Sequence, residues 1–85
     1  MHDLHLADKI LKKVLESAAV NNFKAVKNVW IKLGPIIEHG QEILPENLKF
    51  NLGMLSQGTV AEEARFAVEK FDHVGEYEIV EIEGE

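Results

Sequence analysis

The chain has 85 residues, no cysteine and a formal net charge of −6. The missing cysteine excludes disulfides, thiolate zinc sites and a cysteine nucleophile, so any metal must be held by nitrogen or oxygen. The acidic balance lacks the basic footprint of a nucleic-acid binder, and no apolar run approaches the roughly 18 residues that span a membrane. A hydrophobic content of 46% is too high for a disordered chain. No basic-then-apolar leader is visible, which points to a cytoplasmic protein with no membrane partner. A chain this short buries only roughly 60–65% of its unfolded surface, so a single domain with one small core is expected over residues 1–85.

Residues 4–19 have the spacing of an amphipathic helix. Leu4, Ala7, Leu11, Val14, Leu15 and Ala18 form its apolar stripe, with Ile10 at the flank. Asp3 is a natural N-cap and Asn21-Asn22 a natural stop. In "AVKNVWIKL", Val29, Ile31 and Leu33 alternate with Asn28, Trp30 and Lys32, the pattern of a half-buried strand. Trp30 falls on the polar face, where cover by a neighbouring element is favoured over an interaction surface. Residues 34–43, "GPIIEHGQEI", read as a long loop carrying His39.

Pro45 opens a second helix with Leu48, Leu52 and Leu55 as its stripe, widened by Phe50 and Met54. Gly53 inside it suggests close packing against a sheet, and Gly58 is a good stop. A second strand follows, with Ala64, Phe66 and Val68 on one face. The third holds Tyr77, Ile79, Val80 and Ile82, and the slip in phase between Ile79 and Val80 predicts a bulge or a strand covered on both faces. Between these strands "DHVGE" reads as a hairpin turn with a solvated His73. The predicted architecture is an α/β (α+β) sandwich, two helices on a three-stranded mixed sheet in the order helix-strand-helix-strand-strand.

The first residues carry the most specific chemistry. The Met1 amine, the His2 amide nitrogen and the His2 imidazole Nδ1 close a five- and a six-membered chelate ring on one ion. The Asp3 amide, a water or another imidazole supplies the fourth donor. Planar nitrogen coordination favours Ni(II) or Cu(II) over tetrahedral Zn(II). An amide proton must leave, which is eased before the first helical turn because those amides have no i−4 acceptor to lose. The helix dipole repels a cation and Asp3 offsets it. The chelate requires a retained Met1 with an unblocked amine, whose ordinary pKa is about 8. His5 lies one turn from His2 and is a possible additional ligand. From the residues alone, a capped helix start with solvated histidines is the favoured reading over a metal site. No Ser-His-Asp spacing, phosphate-binding glycine loop or HExxH motif is present, so no catalytic residues are assigned.

The order of motifs resembles the hydrogenase nickel-incorporation proteins of the HypA/HybF type. "MHDLHLADKIL" is similar to their Met-His-Glu-hydrophobic start, and "VKNVWIKLGPII" to their strand ending in Ile-Gly. "PENLKFNLGML" matches a Pro-Glu-x-Leu-x-Phe helix, and "GTVAEEARFAVEKF" a Gly-Thr-x-Ala-Glu-x-Ala segment ahead of a strand. The final strand "YEIVEIEGE" is similar as well. Departures are Asp3 for the usual Glu, His5 for the usual Ser, and a short turn near 71–75 where the family inserts a zinc lobe. The resemblance implies a nickel-binding-type domain over 1–85 that acts as a metallochaperone and not an enzyme. It implies Ni(II) bound through Met1, His2 and Asp3, with no zinc. The implied partners are a nickel-insertion GTPase and a nickel enzyme such as the [NiFe]-hydrogenase large subunit. The alternative is a metal-independent adaptor of the same machinery.

Overall fold

Helix α1 runs Asp3–Val20 and strand β1 runs Val26–Leu33. Two short strands follow, β2 at Ile37–Glu38 and β3 at Gln41–Glu42, and then helix α2 at Pro45–Leu55. Strands β4, Arg65–Lys70, and β5, Tyr77–Gly84, complete the chain. The computed structural model describes residues 3–38, 41–72 and 75–85, without the side chains of Asp3, Ile37, Glu38 and Gln41.

β1 is the middle strand of a mixed sheet ordered β4-β1-β5, parallel to β4 and antiparallel to β5. Its residues Val26, Val29, Ile31 and Leu33 are all buried. Both helices pack on that inner face, where Ile10, Val14, Leu48, Leu52 and Phe66 close the core. The predicted helix-strand-helix-strand-strand sandwich is therefore the fold, with β1–α2–β4 as its crossover unit.

The stop at the end of α1 is an αL cap. Asn22 has φ +57°, a region that asparagine tolerates better than most residues. The Phe23 N–H donates to the Ala18 carbonyl at 2.9 Å and the Asn22 N–H to Ala19 at 3.2 Å, the paired bonds of a Schellman motif. Phe23 then packs onto the core, which sets the chain's turn into β1.

The stripe of α1 is rotated from the predicted one. Leu6 and Ile10 are buried together with Ala7, Leu11, Val14 and Ala18, whereas Leu4 stands exposed and Leu15 is half-buried. α1 begins at Asp3, whose predicted capping side chain lies outside the described residues. On α2, Leu48 and Leu52 are fully buried but Phe50 and Met54 are exposed, because the helix meets the core along one narrow row. Pro45 takes the first turn as predicted, where its missing N–H costs nothing.

Three connections differ from expectation or refine it. Residues 34–43 are not a plain loop: β2 and β3 pair antiparallel, and the Ile43 N–H returns to the Ile36 carbonyl at 2.9 Å. The segment after β4 is not a hairpin turn, since β4 and β5 lie on opposite sides of β1. It crosses the end of β1, held by Phe71 N–H to the Leu33 carbonyl at 2.9 Å and Gly34 N–H to the Glu76 carbonyl at 2.8 Å. The phase slip in β5 is a bulge: Trp30 pairs with Glu81 and Ile31 with Ile79, leaving Val80 as the extra residue.

Two glycines have opposite roles. A Cβ on Gly53 would meet nothing within 4 Å, so close packing does not require this glycine, contrary to expectation. A Cβ on Gly84 would lie 2.7 Å from the Ala25 carbonyl oxygen and 2.7 Å from Phe23 Cδ2. Gly53→Ala should therefore stabilise the fold by about 0.5–1 kcal/mol through helix propensity. Gly84→Ala should destabilise it by about 1–3 kcal/mol, because backbone cannot retreat as a side-chain tip can. Urea unfolding of the two variants beside the parent chain reads both signs.

Candidate functional site

The first turn of α1 is anchored from below. Leu6, Ala7 and Ile10 are buried, which leaves Leu4, His5 and Lys9 on the solvent side. Asp8 follows that face and pairs with Lys12 at 3.1 Å, an exposed i,i+4 pair worth a few tenths of a kcal/mol. Lys9 Nζ reaches Glu76 Oε1 at 3.2 Å and fastens α1 to the segment that enters β5. Lys9 and Lys13 also flank the Tyr77 ring, 5.9 and 5.5 Å from its centroid. The N-terminal end of α1 thus sits over the end of the sheet where β1 finishes and β5 starts, fixed in position by its buried row.

Among the predicted ligands, His5 is the one whose side chain is described. It is exposed, on the solvent side of the first turn. Asp3 is placed as the first residue of α1, and its backbone N–H belongs to the turn that has no i−4 acceptor. Met1, His2, His39 and His73 lie outside the described residues. Among the described residues no group of three or more His, Cys, Asp or Glu converges as a metal site would require. The described geometry therefore supplies a helix start anchored by buried Leu6, Ala7 and Ile10, and one accessible imidazole.

The "GTVAEEA" segment proves to be architectural. Ser56 is fully buried and its Oγ donates to the Gly53 carbonyl at 2.9 Å, closing α2. Gly58, at φ +81°, turns the chain beneath a Thr59 N–H to Ser56 carbonyl bond of 3.0 Å. Thr59 Oγ1 donates to the Ser56 carbonyl at 2.7 Å and accepts from the Ala61 N–H at 3.1 Å. Glu62 Oε1 accepts from the Gly58 N–H at 3.2 Å. Ala61 is buried, and the Val60 carbonyl accepts from Val26 N–H at 2.8 Å. "GTVAEEA" is thus a hydrogen-bonded corner that delivers the chain into β4 and ties it to the start of β1.

Trp30 corrects an expectation. Among the described residues no helix lies over it: it stands on the outer face of the sheet at 36% exposure, between Ala67 of β4 and Glu81 of β5. The sequence signal was its place on the polar parity of β1. Lys49 and Arg65, which line the cleft beside it, were not singled out by sequence, because lone cations on a helix and a strand look like ordinary solvated residues.

The fold of this α/β sandwich has a counterpart among solved structures. The solution structure of the Ni metallochaperone HypA from Helicobacter pylori superposes with a TM-score of 0.77 over 99% of this chain and 97% of that chain. The identity is 11%, so that likeness concerns the fold. The sequence profile for hydrogenase/urease nickel incorporation, metallochaperone HypA, matches residues 1–77. The chain belongs to the HypA family, a family of maturation factors rather than enzymes. It is 36% identical over 69 residues to the hydrogenase maturation factor HypA of Methanothermobacter thermautotrophicus, covering 81% of this chain and 53% of that protein. It is 34% identical over 70 residues to that of Methanobrevibacter smithii, covering 82% and 53%. For the protein of Azotobacter chroococcum the identity is 32% over 68 residues, covering 80% and 57%. The chain spans about half the length of the curated relatives it matches. Among the described residues, no helix is long and apolar enough to cross a membrane.

Proposed function

We propose that this chain is a nickel metallochaperone module that binds Ni(II) as cargo at its N-terminus and passes it on for maturation of a nickel enzyme such as [NiFe]-hydrogenase. The observation that carries the reading is the family match over residues 1–77, which begins on "MHDL". The donors are the Met1 amine, the His2 amide and imidazole and the Asp3 amide, with His5 close enough in sequence to approach the same ion. The anchored first turn of α1 supports this reading, since it fixes the Asp3 backbone while leaving His5 in solvent. The partners are a nickel-insertion GTPase and a hydrogenase large subunit. Residues 1–85 act as the nickel-binding-type domain. The connection from β4 to β5 stands where the resemblance places a zinc lobe, and this cysteine-free chain offers no thiolate pair for such a lobe's structural zinc.

A transfer assay tests the function. The chain is loaded with Ni(II), separated from free metal and mixed with the apo large-subunit precursor or the apo GTPase. Metal analysis of the size-separated products should find nickel on the acceptor from the native chain and little from His2→Ala treated the same way. Nickel that stays with the chain, or that reaches the acceptor equally from both, would refute chaperone delivery.

A further inference from the structure

We propose that the cleft between α2 and β4, continued across the outer face of the sheet, docks an extended partner peptide that is acidic at one end and apolar beyond it. The cleft holds about 420 Å³ and is lined by Trp30, Lys49, Gly53, Arg65, Phe66 and Ala67, among others. A recess of about 250 Å³ shares Trp30 and Ala67 with it and runs on to Phe71 and Val80. Together they form one strip with the indole at its middle. Small neighbours keep that strip open: Ala67 is the register partner of Trp30, and the space around Gly53 is empty.

Charge selects the occupant. The chain carries −6 overall, yet no carboxylate lines the first cleft, while Lys49 and Arg65 do. Among the described residues four ion pairs engage Lys9, Lys12, Lys27 and Lys70, and neither Lys49 nor Arg65 is in one. Salt screens distant charge beyond about 8–10 Å, so local groups govern what enters this cleft: Lys49 and Arg65 on its lining, against Glu83, whose carboxylate is occupied in accepting from the lining residue Asn28 at 2.6 Å. At the far end the chemistry changes. Phe71 and Val80 are exposed, and Lys32 Nζ is held 4.7 Å from the Phe71 ring centroid. Glu69 and Glu81 line that recess. A polyphosphate lying along the strip would meet those carboxylates, which argues against nucleic acid. A peptide that places Asp or Glu beside Lys49 and Arg65 and an aliphatic side chain between Trp30 and Val80 satisfies both ends. No residue of α1 lines either recess, so this surface is independent of the nickel reading.

Trp30 is the single tryptophan, so its emission reports on the strip directly. The probe is a capped synthetic peptide with a run of Asp and Glu followed by Leu and Ala, titrated into the native chain without metal. A saturable blue shift of Trp30 emission is the expected result, weakened by salt and about tenfold weaker for the exposed double variant Lys49→Glu, Arg65→Glu. Unchanged thermal unfolding of that variant confirms that the loss is local. Four outcomes would overturn the proposal: no shift with the acidic probe, equal affinity for a lysine-rich peptide with the same tail, equal affinity of the double variant, or a shift on raising protein concentration alone, which would assign the strip to a second copy of the chain.

Discussion

His2→Ala should lose the square-planar d–d absorption of bound Ni(II) and weaken nickel binding by about 100-fold or more. The substitution removes the imidazole and with it the six-membered ring, so the remaining donors are an amine and a backbone amide. A two-donor site has little drive to expel an amide proton, and the planar species then fails to form. The size of the effect is that of losing one tethered donor from a chelate, where linked contacts commonly tighten binding by about 10²–10⁴. His5→Ala should loosen binding only a few-fold, because His5 adds to a chelate that closes without it. Its exposed position on the first turn makes this control clean, since His5→Ala leaves the buried row of Leu6, Ala7 and Ile10 intact. Titration followed by absorbance and by equilibrium dialysis reads both the geometry and the affinity.

Leu52→Ala should be strongly damaging to the fold. Leu52 is fully buried where α2 meets the core with Leu48. Truncating such a leucine costs about 2–5 kcal/mol, the lost transfer energy plus the cavity left behind. At about 0.05–0.15 kcal/mol per residue, a chain of this length has roughly 4–13 kcal/mol in total. A loss near 3 kcal/mol should lower the melting temperature by about 12–24 °C in a domain of this size. Phe50→Ala, two residues earlier on the same helix, should change stability by no more than about 0.5 kcal/mol, because Phe50 is 70% exposed. Thermal unfolding by circular dichroism checks the pair. Similar losses in both would mean that α2 docks on a different face.

The same two residues show where sequence reading succeeds and fails. Leu48 and Leu52 were legible because a 3.6-residue period marks the centre of a buried face. Phe50 and Met54 were misplaced because periodicity gives the direction of a face but not its width, which depends on how many elements a helix meets. In α1 the same limit moved burial from Leu4 to Leu6. The bulge at Val80 was legible, since a strand's period of two makes a one-residue insertion visible as a phase slip. The placement of β4 and β5 on opposite sides of β1 was not legible. A short connection usually joins neighbouring strands, but here β1, buried along its inner face, takes the centre and separates β4 from β5. The acidic side chains of β5 suit an edge, where charge discourages further pairing. Two-residue strands such as β2 and β3 are too short to leave any period.

For the site, the sequence offers the chelate chemistry, and the structure describes the helix that follows it. A chelate built from the chain terminus has no long-range signature, so the proposed donors rest on "MHD" alone, and Met1 and His2 lie outside the described residues. The cleft of Trp30, Lys49 and Arg65 was not readable, because its parts come from β1, α2 and β4 and meet only in the folded chain.

The central claim is that the free N-terminal amine and His2 together make the nickel site. The direct measurement is a Ni(II) titration of the chain with its native N-terminus beside the same chain extended by a short Gly-Ser segment ahead of Met1. The extension keeps every side chain, including His2 and His5, and removes only the amine from its chelating position. The native chain should develop the planar Ni(II) band at one equivalent of metal per chain, as the single terminus requires, and the extended chain should not. Equal bands and equal affinity in the two would contradict the account and assign the nickel to other donors.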